Sequence, residues 1–256
     1  VNFGTLAWEP VRTAPVIAPS VARIYDYFLG GKDNYASDRE LAEKALRKAP
    51  VLTRMARENR AFLERAVTRL AEKGFRQFLD IGCGLPAAAS VADVARRVHP
   101  ECRVAYVDND PLVLTHARAL LDVDAGTGVF GADLREPAAL LRAAGRLFEP
   151  GRPVAVLLFG VLDFVTDAED PRGIVDALMG GLPPGSALVL THTERTPDIA
   201  RLAGRGAMDV PFTPRSRAEI AEICGGIDIV EPFPAPLPAA PSAPLPLIGC
   251  AGRGRG

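Results

Sequence analysis

The sequence predicts an α/β fold built on a mostly parallel sheet, and three observations carry the prediction. Gln77-Phe78-Leu79-Asp80-Ile81 followed by Gly82-Cys83-Gly84-Leu85-Pro86-Ala87 reads as a buried strand, a glycine turn and the start of a helix. From Phe75 onward, short apolar runs alternate with helical stretches, as in a parallel sheet covered by helices. Polar residues recur where those runs end, and open parallel sheets bind ligands beyond the carboxyl ends of their strands.

The elements follow in order. Residues 1–19 carry Pro10, Pro15 and Pro19, lack periodicity and read as an extended or disordered arm, with Trp8 available to anchor it. Ser20 is placed to cap a helix from Val21, whose stripe of Ile24, Tyr25, Phe28 and Leu29 ends at Gly30-Gly31. Lys32-Asp33-Asn34-Tyr35 forms a polar loop, and Asp38 is placed to cap a second helix through about Lys48. Two glycines followed by three polar residues are costly for a mere connector, because glycine loses the most backbone freedom on folding. Gly30, Gly31, Lys32 and Asn34 therefore suggest a lid over a ligand, with Lys32 free to meet an acceptor anion or a cofactor carboxylate. Residues 52–73 read as a long amphipathic helix ended by Gly74. Residues 20–74 are thus expected to form an N-terminal helical cap, and 75–256 a Rossmann-like core.

Within the core, strands are expected at 76–81, 102–107, 127–130, 153–159, 186–192, 227–231 and, faintly, 245–250. Helices are expected near 86–98, 111–121, 136–145, 170–180 and 216–224. The proline-rich stretch 232–246 reads as an irregular surface connection.

Composition sets limits. With 256 residues, 48% of them hydrophobic, the chain can fill the core of one sizeable domain. A net charge of −1 supplies no field for nucleic acid or an anionic membrane. Four scattered cysteines and three dispersed histidines suggest neither a disulfide framework nor a metal site. No run spans a bilayer and no signal-peptide plan opens the chain, which points to a soluble cytoplasmic protein.

The glycine turn alone fits a dinucleotide site, a nucleoside site or an empty turn. Asp80 discriminates: a carboxylate just before the turn repels a pyrophosphate, whereas it suits the ammonium and sulfonium end of S-adenosylmethionine. Asp108, ending the second strand, can accept from both ribose hydroxyls, a device NAD enzymes share. Asp133 can accept from an adenine amino group while the Leu134 amide serves a ring nitrogen; its bland alternative is a helix cap. The fourth strand ends at Phe159-Gly160, where glycine allows backbone approach to the methionine part. Asp163, His192 and Tyr25 are the candidate bases, and His192 could equally be a hydrogen-bonded wall residue.

Taken together, these stretches resemble a known family. Pro19-Ser20-Val21-Ala22-Arg23-Ile24-Tyr25-Asp26-Tyr27-Phe28-Leu29-Gly30-Gly31-Lys32-Asp33-Asn34-Tyr35 closely resembles the N-terminal signature of an actinobacterial group of S-adenosylmethionine-dependent methyltransferases. That group was long catalogued as a domain of unknown function. Asn59-Arg60-Ala61-Phe62-Leu63, Val107-Asp108-Asn109-Asp110-Pro111 and Ser216-Arg217-Ala218-Glu219-Ile220 look like its other blocks. The resemblance implies a class I methyltransferase fold, a seven-stranded sheet whose last strand is antiparallel, capped by the N-terminal helices. It implies cofactor roles for Asp80, Gly82, Gly84, Asp108, Asn109, Asp133 and Leu134. The group usually has His where this chain has Asp163, which weakens a fixed catalytic base there.

The expected activity is methyl transfer from S-adenosyl-L-methionine to a small-molecule acceptor, with no nucleic-acid or membrane partner. An NAD-dependent oxidoreductase and a non-catalytic S-adenosylmethionine-binding regulator are the alternatives.

Overall fold

The computed structural model describes residues 18–87, 89–202, 211–225, 227–229, 235–236 and 245–254. Most of the expected N-terminal arm, Trp8 included, and most of the proline-rich stretch lie outside the described residues.

Three helices open the fold: α1 (Val21–Leu29), α2 (Ala36–Lys48) and α3 (Leu52–Glu72). The core then alternates: β1 (Gln77–Ile81), α4 (Val91–Arg96), β2 (Arg103–Asp108), α5 (Pro111–Leu120), β3 (Thr127–Gly131), α6 (Pro137–Ala144) and β4 (Ala155–Phe159). It continues through α7 (Pro171–Gly180), β5 (Ala187–Thr193), α8 (Pro197–Ala200), α9 (Arg217–Ile223), β6 (Ile227–Ile229), β7 (Ala235–Pro236) and β8 (Leu247–Gly254). Strand order is β3-β2-β1-β4-β5-β8-β6, with the two-residue β7 attached to β8. The five strands from β3 to β5 are parallel, and β8 runs antiparallel to β5 and β6. The expected mixed sheet of seven main strands is therefore present, and the faint last strand is its long antiparallel member.

Alternation along β1 shows why these runs are apolar throughout. Phe78 packs on one side, with Leu63, Val67 and Leu70 of α3. Leu79 and Ile81 pack on the other, with Leu140 of α6 and Ile174 and Leu178 of α7. A strand covered on both faces has no solvent side on which to place polar residues. α3 is thus a layer helix of the core, while Ile24 of α1 and Leu41 and Ala42 of α2 form a small cluster of their own.

Two cap expectations are corrected. Ser20 precedes α1 but makes no side-chain cap bond; its hydroxyl instead donates to Asp110 Oδ2 at 2.8 Å. Asp38 lies inside α2, three residues after the N-cap Tyr35. Its fully buried carboxylate accepts from Ser20 N (2.9 Å), Arg23 Nε (2.7 Å) and Tyr35 N (2.8 Å). This one group joins the starts of α1 and α2. Removing one partner of a buried ion pair strands the other charge, here an Arg23 that is 4% exposed. Asp38→Ala is therefore expected to cost about 3–5 kcal/mol in urea denaturation, and an unchanged midpoint would show that the cap does not depend on this pair.

Candidate functional site

The chain reverses its direction of travel across the sheet between β1 and β4, so the crevice beyond their carboxyl ends is the place where such sheets bind ligands. Asp80 stands there. Residues alternate in a strand, so Asp80 shares the α3-facing side of β1 with Phe78. It is 7% exposed, and its carboxylate has no hydrogen-bond partner among the described residues. Burial pushes its pKa up to about 7; the Arg60 charge works against that rise and Asp108 adds to it.

The turn after β1 requires its glycines. Gly82 and Gly84 have φ of +71° and +65°, in the left-handed region that glycine enters without steric cost. A Cβ on Gly82 would also meet Val161 Cγ2 at 2.7 Å, whereas the space above Gly84 is open. The expected helix from Pro86 does not form. α4 begins at Val91, after Ser90, whose capping box with Asp93 sets the start. No helix N-terminus follows the turn directly, so the feature that holds a dinucleotide pyrophosphate is missing from this place. Cys83 is inert here, because burial first, then Asp80 and Asp108, push its thiol well above the ordinary value.

Asp108 is fastened to the same turn. Its Oδ2 accepts from Gly84 N at 3.0 Å, and its Oδ1 accepts from Asn109 N (2.9 Å) and Asp110 N (3.0 Å). Burial raises its pKa against the pull of these bonds. Asp110 caps α5 through Leu112 N, with Pro111 in the first turn. Asn109 Nδ2 donates to Asp133 Oδ2 at 3.1 Å. Asp133 is not the cap of α6, whose N-cap is Glu136; it accepts from Arg135 N at 2.9 Å and pairs with the Arg135 guanidinium at 3.1 Å. Leu134 turns its side chain into the core.

Beyond β4, Gly160 has φ +71°, and Asn59 Nδ2 lies 3.9 Å from where its Cβ would stand. Phe159 packs against the core on the α3 side, its ring 5.8 Å from that of Phe62. Asn59 is buried and joins three elements. Its Oδ1 accepts from Thr191 Oγ1 at 2.7 Å, and its Nδ2 donates to Tyr25 Oη at 3.1 Å. Tyr25 Oη in turn donates to Ala56 O at 3.1 Å. Burial raises the Tyr25 pKa, against the pull of Asn59 and Arg60, so the phenol stays protonated near neutral pH.

The other two candidate bases are engaged elsewhere. Asp163 accepts from Thr193 N at 2.9 Å and from the Thr193 hydroxyl. His192 has no exposed surface. Its Nδ1 lies 2.9 Å from Asp163 Oδ1 and 3.0 Å from Thr193 O, and Arg215 Nη1 stands 2.8 Å from its Nε2. Arginine only donates, so Nε2 is the acceptor and Nδ1 carries the proton. Arg215, itself 2% exposed, also donates to Leu162 O and Val165 O and pairs with Asp167. Asp163 and His192 thereby brace the loop after β4.

The predicted lid loop has a structural reason for its glycines. Gly30 has φ +83°, and a Cβ on Gly31 would fall 1.9 Å from Asp26 Oδ1. Asp26 reaches across the loop to accept from Asp33 N (3.0 Å) and Asn34 Nδ2 (2.8 Å). Lys32 is exposed on its outside. Sequence reading missed Asp26, Arg60 and Arg215, and it did not foresee the link from Asn59 to Thr191; their partners are distant in sequence or turned inward. A surface groove of about 470 Å³ along α2, lined by Ala36, Arg39, Glu40, Glu43, Lys44 and Arg47, shares no residue with the strand ends.

Comparison with known proteins gives a consistent result. A family model described as S-adenosyl methyltransferase matches residues 11–236. A crystal structure of a candidate methyltransferase from Thermobifida fusca YX is 38% identical, with TM-score 0.86, over 93% of this chain and 96% of that one. A duf574 family protein from Streptomyces avermitilis is 35% identical, with TM-score 0.87, over 93% and 98%. A carboxy-S-adenosyl-L-methionine synthase from Geobacter metallireducens is 33% identical over 117 residues, 44% of this chain and 43% of that protein. The chain thus spans less than half the length of the curated relatives it matches.

Asp80 has a folded-state pKa of about 7, above its ordinary 3.8. The folded chain therefore holds the extra proton between those limits, and this group makes stability fall as pH rises from about 4 to about 7. Asp80→Asn is expected to stabilise the ligand-free protein by roughly 1–4 kcal/mol at pH 8, with the gain fading toward pH 4. Urea midpoints of the two proteins across that range are the check.

Proposed function

Since the chain belongs to the S-adenosyl methyltransferase family, and so takes S-adenosyl-L-methionine as its cofactor, we propose that it methylates a small-molecule acceptor at the carboxyl ends of β1 and β4. One observation carries the placement: a carboxylate, 7% exposed and without a hydrogen-bond partner among the described residues, at the point where the sheet reverses direction. Its ionisation is costly alone and becomes favourable beside a cation. The residues fit that ligand. Asp80 receives the amino-acid end, Asp108 retains one lone pair, on Oδ2, for a ribose hydroxyl, and Asn109, Asp133 and the Leu134 amide surround the adenine. Gly84, with open space where a Cβ would be, gives room for the ligand against the backbone.

When bound, the cofactor supplies a methyl group already activated by its sulfonium. The protein's share is then chiefly positioning and exclusion of water. Asp163 and His192 serve by holding the loop after β4, and we assign them no proton transfer. Tyr25, protonated and fixed by Ala56 and Asn59, is the polar group of this set that faces the acceptor, and it orients rather than deprotonates. The acceptor therefore brings a nucleophile that needs no strong base.

The N-terminal helices act as the cap. Ser20 is bonded beyond β2, to Asp110, and Tyr25 reaches Thr191 of β5 through Asn59. Those strands stand three spacings apart, about 14 Å. Five helical residues rise about 7.5 Å, and the side chains make up the difference, so α1 lies across the ends of β1 and β4. The near-neutral charge argues for a small acceptor rather than nucleic acid. Free Cys83, Cys102 and Cys224 suit a reducing cytoplasm. The block from Pro19 to Tyr35 supports an actinobacterial origin.

Calorimetry with S-adenosylhomocysteine and with NAD tests the reading. Binding of the thioether without binding of NAD is expected, and the reverse would refute it. Asp80→Ala should weaken the thioether about 10- to 100-fold. Because the ligand's ammonium selects ionised Asp80, affinity should fall up to about tenfold per unit as pH drops below about 7. Label followed from the cofactor's methyl group into a panel of small acceptors would then give the acceptor class.

A further inference from the structure

An amino-acid end carries two charges, and the site described so far answers only one of them. We propose that Arg60 holds the α-carboxylate of the cofactor's amino-acid end, opposite Asp80 on its ammonium. The assignment rests on the S-adenosyl reading of the site and adds to it a residue that sets which adenosyl thioethers are accepted.

The geometry comes from the course of α3. Its carboxyl end lies at the amino end of β1, where Phe75 N bonds Leu70 O at 3.1 Å. Leu63 and Val67 then pack in the same cluster as Phe78. Going backward along α3 therefore moves toward the carboxyl end of β1. One turn before Leu63 stand Asn59 and Arg60, level with Asp80 and the glycine turn. Asn59 confirms the level, since it contacts Thr191 near the end of β5 and stands by Gly160 after β4. The Arg60 guanidinium donates through Nη2 to Ala89 O, in the segment that runs from the turn to α4.

Arg60 is half-buried, and among the described residues its carboxylate partner is Glu64, 3.9 Å from Nε and itself 42% exposed. No ion pair joins Arg60 to Asp80, although its charge is felt at both Asp80 and Tyr25. A cation and a nine-tenths-buried carboxylate thus stand at the same level of the fold, close enough for their charges to act on each other, without closing into an ion pair. An arrangement of that kind matches a zwitterion: the ammonium completes Asp80, and the carboxylate completes the fork of donors on Arg60. Lys32, which the sequence offered for that carboxylate, lies exposed on the outside of the loop stapled by Asp26.

The test compares three ligands by calorimetry on the full chain: S-adenosylhomocysteine, its decarboxylated analogue with an aminopropyl chain, and 5′-methylthioadenosine. The wild-type protein should prefer S-adenosylhomocysteine to the decarboxylated analogue by about tenfold or more. Arg60→Met should erase that preference by weakening S-adenosylhomocysteine alone, and Arg60→Lys should restore part of it. Undiminished binding of 5′-methylthioadenosine shows that the variant is folded. Equal wild-type affinities for the first two ligands overturn the proposal whatever the variants do, as does an equal loss of both in Arg60→Met with 5′-methylthioadenosine intact. Failure of the wild-type protein to bind any of the three would instead sink the reading of the site on which this assignment depends.

Discussion

A carboxylate sunk at the end of the central strand, with no hydrogen bond from the described residues to support its charge, is the constraint around which this molecule is arranged. Burial first, with Asp108 adding to it, pushes the Asp80 pKa up to about 7, so the ligand-free fold tolerates a group that costs stability at neutral pH. Such a cost persists where a ligand removes it. The flanking features serve the same place. The paired glycines bring backbone close to it, Asp108 fastens the turn to the neighbouring strand, and the late start of α4 removes the helix end that would favour a phosphate.

A second set of bonds ties the N-terminal segment to this region. Asp38 gathers Ser20, Arg23 and Tyr35, and the Ser20 hydroxyl is spent on Asp110 rather than on its own helix. Tyr25 and Asn59 extend the tie to β5. Apart from the Tyr35 bond, which lies at the start of Asp38's own helix, each bond crosses between elements, so α1 is oriented by the sheet and not by its own short apolar stripe. A nine-residue helix has little stability alone, and these polar anchors decide where it lies.

Behind β4 a third network sets the loop that packs on Gly82. Arg215 donates to two carbonyls of that loop and to His192, and Asp163 ties the loop to Thr193. Side chains bonded to one another inside such a network hold the loop in place.

Much of this was legible in the residues themselves. The apolar runs that become β1 to β5 are uniform because both faces are covered, and periodicity records that directly. The glycine turn, Asp80 before it, and the Asp108-Asn109-Asp110-Pro111 run each depend on neighbours within a few residues, and local chemistry suffices to read them. Tertiary structure alone decided the rest. Whether Ser20 caps α1 or binds Asp110, whether His192 faces a cleft or Arg215, and whether Asn59 meets solvent or Thr191 depend on partners 90, 23 and 132 positions away. A polar side chain takes the partner that the fold brings within about 3 Å, and no local pattern states which one that will be.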